Sequence, residues 1–130
     1  MKKVITYCQN PELARCGVEG FYRLMRRWVV NAGKRRIIIH AGFVTDLATL
    51  PWIARLFGAK GNDRIHRAAA IVHDFLYTRG GNASDRKYAD GLYRRMLREA
   101  GASRIAAGVE YYALRLFGWS RFGWEWEGLE

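Results

Sequence analysis

His73 and Asp74 stand side by side in an otherwise apolar run, Ala70-Ile71-Val72-His73-Asp74-Phe75-Leu76-Tyr77. An imidazole beside a carboxylate in such a setting is unfavourable unless both groups are satisfied. Neighbouring helical side chains diverge by about 100°, so the two serve different directions. His73 and Tyr77, four apart, share a face and can meet a common pocket. Three functional arrangements fit. His73 can act as a general base on water while Asp74 holds a cation or a partner; both can ligate one metal; or Asp74 can orient another polar group. A buried structural polar pair fits the same spacing.

Three further residues bear on these alternatives. His66 lies two turns before His73, about 10 Å away along a straight helix, too far to share a metal, and is expected at the surface or in a secondary role. Asp90 has Arg86 and Arg94 four residues to either side, which favours an ordinary helix ion pair. The short Gly80-Gly81 turn nevertheless makes consecutive helices antiparallel, so Asp90 can approach His73 or Asp74 from across the pair and fix the imidazole tautomer. Asp46, in Gly42-Phe43-Val44-Thr45-Asp46, either stabilises a turn or delivers a third acidic group to that site.

The elements that must position these groups divide the chain in two. Residues 1–45 read mainly as β: an opening strand from Val4 to Tyr7, partial alternation from Tyr22 to Val30, turn chemistry at Asn31-Ala32-Gly33-Lys34, and a β-branched stretch from Arg36 to His40. The last three make a hairpin. Residues 50–118 read as helical. Pro51 opens and Gly58 closes a short helix; Asp63 caps a helix running to about Tyr77; Ser84 caps a third, closed by Gly101; Ser103 caps a fourth, closed by Gly118. On the fourth, Ile105, Val109, Tyr112 and Leu116 form an apolar stripe at helical spacing. Residues 119–130 are an aromatic-rich tail, whose Trp119, Phe122, Trp124 and Trp126 either fold back over the helices or dock a partner. The fold class is α+β: a small antiparallel hairpin or sheet packed on three to four helices, in a single domain over residues 1–130.

Composition sets the outer limits. The 130 residues are 50% hydrophobic and 14% aromatic, which excludes a disordered chain, and no apolar run is long enough to span a bilayer. The N-terminus does not read as a secretory signal, which leaves the cytoplasm as an expected location. Cys8 and Cys16 alone cannot complete a structural zinc site. The net charge is +10, with 17 Arg against five Lys. That balance suits an anionic substrate, an acidic partner protein or nucleic acid, although no nucleic-acid motif accompanies it.

Three motifs occur together: the Gly-Phe-x-Thr-Asp loop ending at Asp46, the His-Asp-x-Leu-Tyr helix at 73–77, and Arg86-Lys87-Tyr88-Ala89-Asp90. In combination they resemble a phage and prophage family catalogued as domain of unknown function 1353. The resemblance covers about Ile37 to Phe117 and departs at His40, where that family usually has proline, and at Thr49, where it often has serine. It implies that Asp46, His73, Asp74, Tyr77 and Asp90 share a site, and it supplies no reaction. The His-Asp-x-x-Tyr helix is also similar to that of secreted phospholipases A2, whose disulfides and calcium loop have no counterpart here.

Two functions follow as expectations. In the first, the chain is a small hydrolase of a phosphoester or acyl ester. His73, Asp90 and Tyr77 are its catalytic groups, and Asp46 and Asp74 hold a divalent cation such as Ca²⁺, Mg²⁺ or Zn²⁺. In the second, it is a non-catalytic virion, tail-associated or host-interaction protein, in which the same cluster is structural and phage structural or host proteins are the partners.

Overall fold

Gly33 and Lys34 form the two-residue turn of a hairpin, and Gly33 takes a positive φ of 62°, as the turns matching strand twist require. The computed structural model describes residues 5–7, 9–17, 21–45 and 64–124. The hairpin strands are β4 (Trp28–Ala32) and β5 (Arg35–Ile39), and β1 (Ile5–Thr6) pairs antiparallel with β4. Registers Trp28↔Ile39 and Val30↔Ile37 put four buried side chains on one face. The Trp28 Nε1–H donates to the Gln9 carbonyl at 2.9 Å, which satisfies the one polar atom of that buried ring.

A second three-stranded antiparallel sheet contains β2 (Leu13–Arg15), β3 (Tyr22–Leu24) and β6 (Val44–Thr45), in the order β2-β3-β6. The stretch from Tyr22 to Val30, expected as one arm of the hairpin, is thus two strands in different sheets. The chain breaks at Met25-Arg26-Arg27, where the Met25 N–H turns to the Glu12 carbonyl and Arg26 pairs with Glu12 at 2.9 Å.

Among the described residues three helices follow: α1 (Arg67–Arg79), α2 (Ala83–Ala100) and α3 (Arg104–Phe117), then a 3₁₀ turn at Gly118–Arg121. The expected helix after Pro51 and the expected cap Asp63 lie outside the described residues; α1 has His66 at its N-cap position, without a side-chain cap. Asn82, not Ser84, caps α2. Its side chain accepts from the Asp85 N–H at 3.0 Å while Asp85 accepts from the Asn82 N–H at 2.9 Å, a reciprocal capping box. Ser103 caps α3 as its sequence suggests, accepting from the Ala106 N–H.

The Gly80-Gly81 turn reverses the chain and also receives the C-terminal stretch. Gly80 has φ +74°, and a Cβ there would lie 1.8 Å from the Gly123 carbonyl oxygen, so only glycine fits. The Gly81 N–H donates to Gly123, whose own N–H donates to Tyr77. Phe122 is buried against the Tyr77 ring with Trp124 beside it, while Trp119 stays exposed. The aromatic segment through residue 124 therefore folds back in part. One core joins the sheets to the helices: Leu24, Trp28, Val30, Ile37 and Ile39 meet Ile71, Val72, Leu97 and Leu114.

The stripe Ile105, Val109, Tyr112, Leu116 does not join that core. Ile105 is 76% exposed, Tyr112 60% and Leu116 66%. At 100° per residue the four fall within an arc of about 60°. The inward positions Ala107, Glu110 and Leu114 occupy an equally narrow arc on the opposite side, and all three are buried. Helix α3 thus turns a carboxylate inward and its largest apolar side chains outward.

Candidate functional site

Asp90 is fully buried on α2 and is the centre of a polar cluster. Its Oδ1 accepts from His73 Nε2 at 2.8 Å and from the Tyr77 hydroxyl at 2.6 Å, both on α1. Its Oδ2 accepts from Arg115 Nη1 on α3 at 2.8 Å. The His73 and Tyr77 rings, four residues apart on one face, lie 4.0 Å from centroid to centroid. Antiparallel packing across Gly80-Gly81 brings Asp90 to them, while Arg115 arrives from the last turn of α3.

Burial lowers the His73 pKa, outweighing the opposite pull of Asp90, and Arg86 and Arg121 add to the lowering. Arg115 already balances the Asp90 charge, so a proton on His73 would add an uncompensated cation. Burial pushes the Asp90 pKa up, but hydrogen bonds from His73, Tyr77 and Arg115 prevail and hold it below the usual carboxylate value. Burial and the Asp90 carboxylate both raise the Tyr77 pKa. At neutral pH, then, Asp90 is ionised, Tyr77 is protonated, and neutral His73 donates its Nε2–H. This leaves Nδ1 as the imidazole lone pair.

Arg86 completes the joint. Its Nη2 donates to the carbonyls of Leu114 and Arg115 at 2.7 and 2.9 Å in the last turn of α3, where Leu114 also accepts from the Gly118 N–H. The expected ion pairing of Asp90 with Arg86 and Arg94 is therefore not what forms. Arg86 is used by α3, Arg94 stacks over Tyr111 and Tyr112, and Arg115 is the cation on Asp90.

A second buried network lies alongside. His66 Nε2 contacts both Glu110 carboxylate oxygens, at 3.1 and 2.9 Å, and the Tyr93 hydroxyl donates to Glu110 at 2.9 Å. The Tyr93 ring also meets His73 edge-on at 5.2 Å. His66 is thus buried, contrary to its expected surface position, because α3 presents a carboxylate to it. The sequence carried a signal for this: Glu110 is the sole acid between 104 and 117 and lies opposite the apolar stripe.

Of the five expected site residues, His73, Tyr77 and Asp90 are brought into direct contact. Asp74 is half-buried and points along a different direction of α1, outside the set of groups bonded to Asp90. Asp46 lies outside the described residues. Among the described residues, no group of three or more His, Cys, Asp or Glu is placed to hold a metal ion. Chemically, the cluster can hold a tautomer and lock three helices together. His73 is only 2% exposed, so Nδ1 has little access to solvent.

The family model described as protein of unknown function (DUF1353) matches residues 22–114, from the start of β3 through most of α3, and the chain belongs to that family. No curated protein and no solved structure matches it significantly. No helix among the described residues is long and apolar enough to cross a membrane.

Proposed function

We propose that this member of a family of unknown function is a non-catalytic binding protein. Its working surface is the outward face of α3, and the His73–Asp90 cluster is the brace that holds the helix in that orientation. One observation carries the reading: Ile105, Val109, Tyr112 and Leu116 face solvent while Glu110 on the same helix is buried. A helix selected only for the stability of this chain would gain by the opposite rotation, since burying a large apolar side chain contributes about 1.5–3 kcal/mol. Phe117, the last residue of α3, is also exposed and lines the same face. Contiguous exposed apolar surface of this kind marks interaction sites. A phage or prophage setting, with a phage structural or host protein as partner, suits the motif combination at 42–46, 73–77 and 86–90.

Thiol labelling tests the orientation on which the reading depends. In a Cys8→Ser/Cys16→Ser background, cysteine introduced at Ile105 or Leu116 should react with a maleimide in the native state at nearly the unfolded rate. Cysteine introduced at Leu114 should react only on unfolding. Protection at 105 and 116 in the monomer would remove the binding surface and with it the reading.

A second reading, a hydrolase with His73 as general base and a divalent cation at Asp46 and Asp74, is favoured by the 2.8 Å His73–Asp90 contact. That contact fixes the tautomer in the way a carboxylate–histidine pair does in acid–base catalysis. A metal-dependent melt, described below, separates the two.

A further inference from the structure

Resting on the binding-protein reading, we infer that the outward face of α3 takes an acidic amphipathic helix of a partner protein. The apolar positions 105, 109, 112 and 116 are spaced four, three and four apart. This is the alternation of a two-helix seam, in which side chains of one helix enter gaps on the other. The face forms a groove of about 500 Å³ lined by Arg104, Ile105, Gly108, Val109, Tyr112 and Leu116, among others. The face is open and shallow, and the apolar side chains repeating along it match the ridges and gaps of a second helix.

Charge selects the occupant. Arg104 lines one end of the groove. Arg94 reaches over from α2 with its guanidinium 5.1 Å from the Tyr111 ring centre and 5.8 Å from that of Tyr112. Its Nη2 would be 3.5 Å from a Cβ at Gly108, so it lies against α3 midway along the stripe. Among the described residues, neither Arg94 nor Arg104 is paired with a carboxylate. The only acid in α3 is Glu110, buried on the far side against His66 and Tyr93. A second copy of this chain would bring Arg94, Arg104 and a net charge of +10 to the same seam, with no exposed α3 acid to meet them. A helix with an apolar seam and Asp or Glu along one edge meets both requirements, and desolvated guanidinium–carboxylate pairs would fix its register.

The test uses the full chain and two synthetic 21-residue helical peptides with Leu at the seam positions, one flanked by Glu and one by Lys. Isothermal titration is expected to show the Glu peptide binding and the Lys peptide at least about tenfold weaker. Arg94→Gln should weaken the Glu peptide by about tenfold. Ile105→Gln/Leu116→Gln should abolish binding while the chain stays folded by circular dichroism. Equal binding of both peptides would overturn the acidic partner and leave the docking face standing. So would binding of neither peptide combined with a sedimenting dimer that Ile105→Gln/Leu116→Gln dissociates, or with adsorption to anionic phosphatidylglycerol vesicles through the same residues. Binding of neither peptide, no dimer and no vesicle adsorption would overturn both this inference and the reading beneath it.

Discussion

Arg115 Nη1 donates to Asp90 Oδ2 at 2.8 Å, and this ion pair ties the end of α3 to the middle of α2 across 25 residues of sequence. Because Asp90 also accepts from His73 and Tyr77, one carboxylate connects α1, α2 and α3. The rotation of α3, and hence which of its faces meets solvent, depends on that joint and on its neighbour at Glu110.

Removing the shared carboxylate should be costly. Asp90→Ala leaves Arg115 without its counter-charge and strips the hydrogen-bond acceptor from two buried groups. Urea unfolding is expected to show a loss of about 3–5 kcal/mol, the range for breaking a buried charge pair by deleting one partner. A loss below about 1 kcal/mol would mean that the cluster does not brace the helices.

The same cluster sets the pH dependence. The His73 pKa is lowered from its ordinary 6.5, so the unfolded chain takes up that proton first and stability falls as pH drops below 6.5. The lowered Asp90 pKa adds a further loss below the ordinary carboxylate value of 3.8. The raised Tyr77 pKa works from the other side: its contribution is full below pH 10.0 and is lost as pH rises beyond that. Melting temperature against pH should therefore be level between about 7 and 10, with a decline at both ends. His73→Gln should flatten the step near 6.5, and Tyr77→Phe the step above 10.

Gly118 has no side chain because the Tyr77 hydroxyl occupies the space. A Cβ there would lie 2.7 Å from the Tyr77 oxygen, which is itself held by Asp90. Gly118→Ala should destabilise by about 1–3 kcal/mol in urea unfolding, the usual cost of overpacking. Adding Tyr77→Phe, which removes the clashing oxygen, should recover part of that loss.

Metal response separates the binding protein from the hydrolase. Melts in EDTA, Ca²⁺, Mg²⁺, Mn²⁺ and Zn²⁺ are expected to coincide for wild type and for Asp74→Asn. A cation that stabilises wild type and not Asp74→Asn would instead establish the metal-assisted reading, since a ligand binding only the native state raises its stability.

The contact between His73 and Asp90 follows from local features: an imidazole and a phenol four residues apart, a glycine pair that reverses the chain, and an acid on the returning helix. The α+β order was legible for the same reason, through turn and cap residues. Arg115 and Glu110 were not, because their positions depend on how α3 is rotated, and periodicity reports a stripe without saying which side the core lies on. The apolar stripe of α3 was visible in sequence, and only tertiary contacts reveal that it faces outward. His66 was misread for a related reason: its partner is 44 residues away and reaches it only through that rotation.

The most direct measurement is the unfolding free energy of paired substitutions on the two faces of α3. Ile105→Gln/Leu116→Gln is expected to change stability by no more than about 0.5 kcal/mol per site, as at any solvent-facing position. Leu114→Ala should cost about 2–5 kcal/mol, as in a packed core. Comparable losses on both faces would show that the outward residues are part of this chain's own core, and would contradict the assignment of α3 as a docking surface.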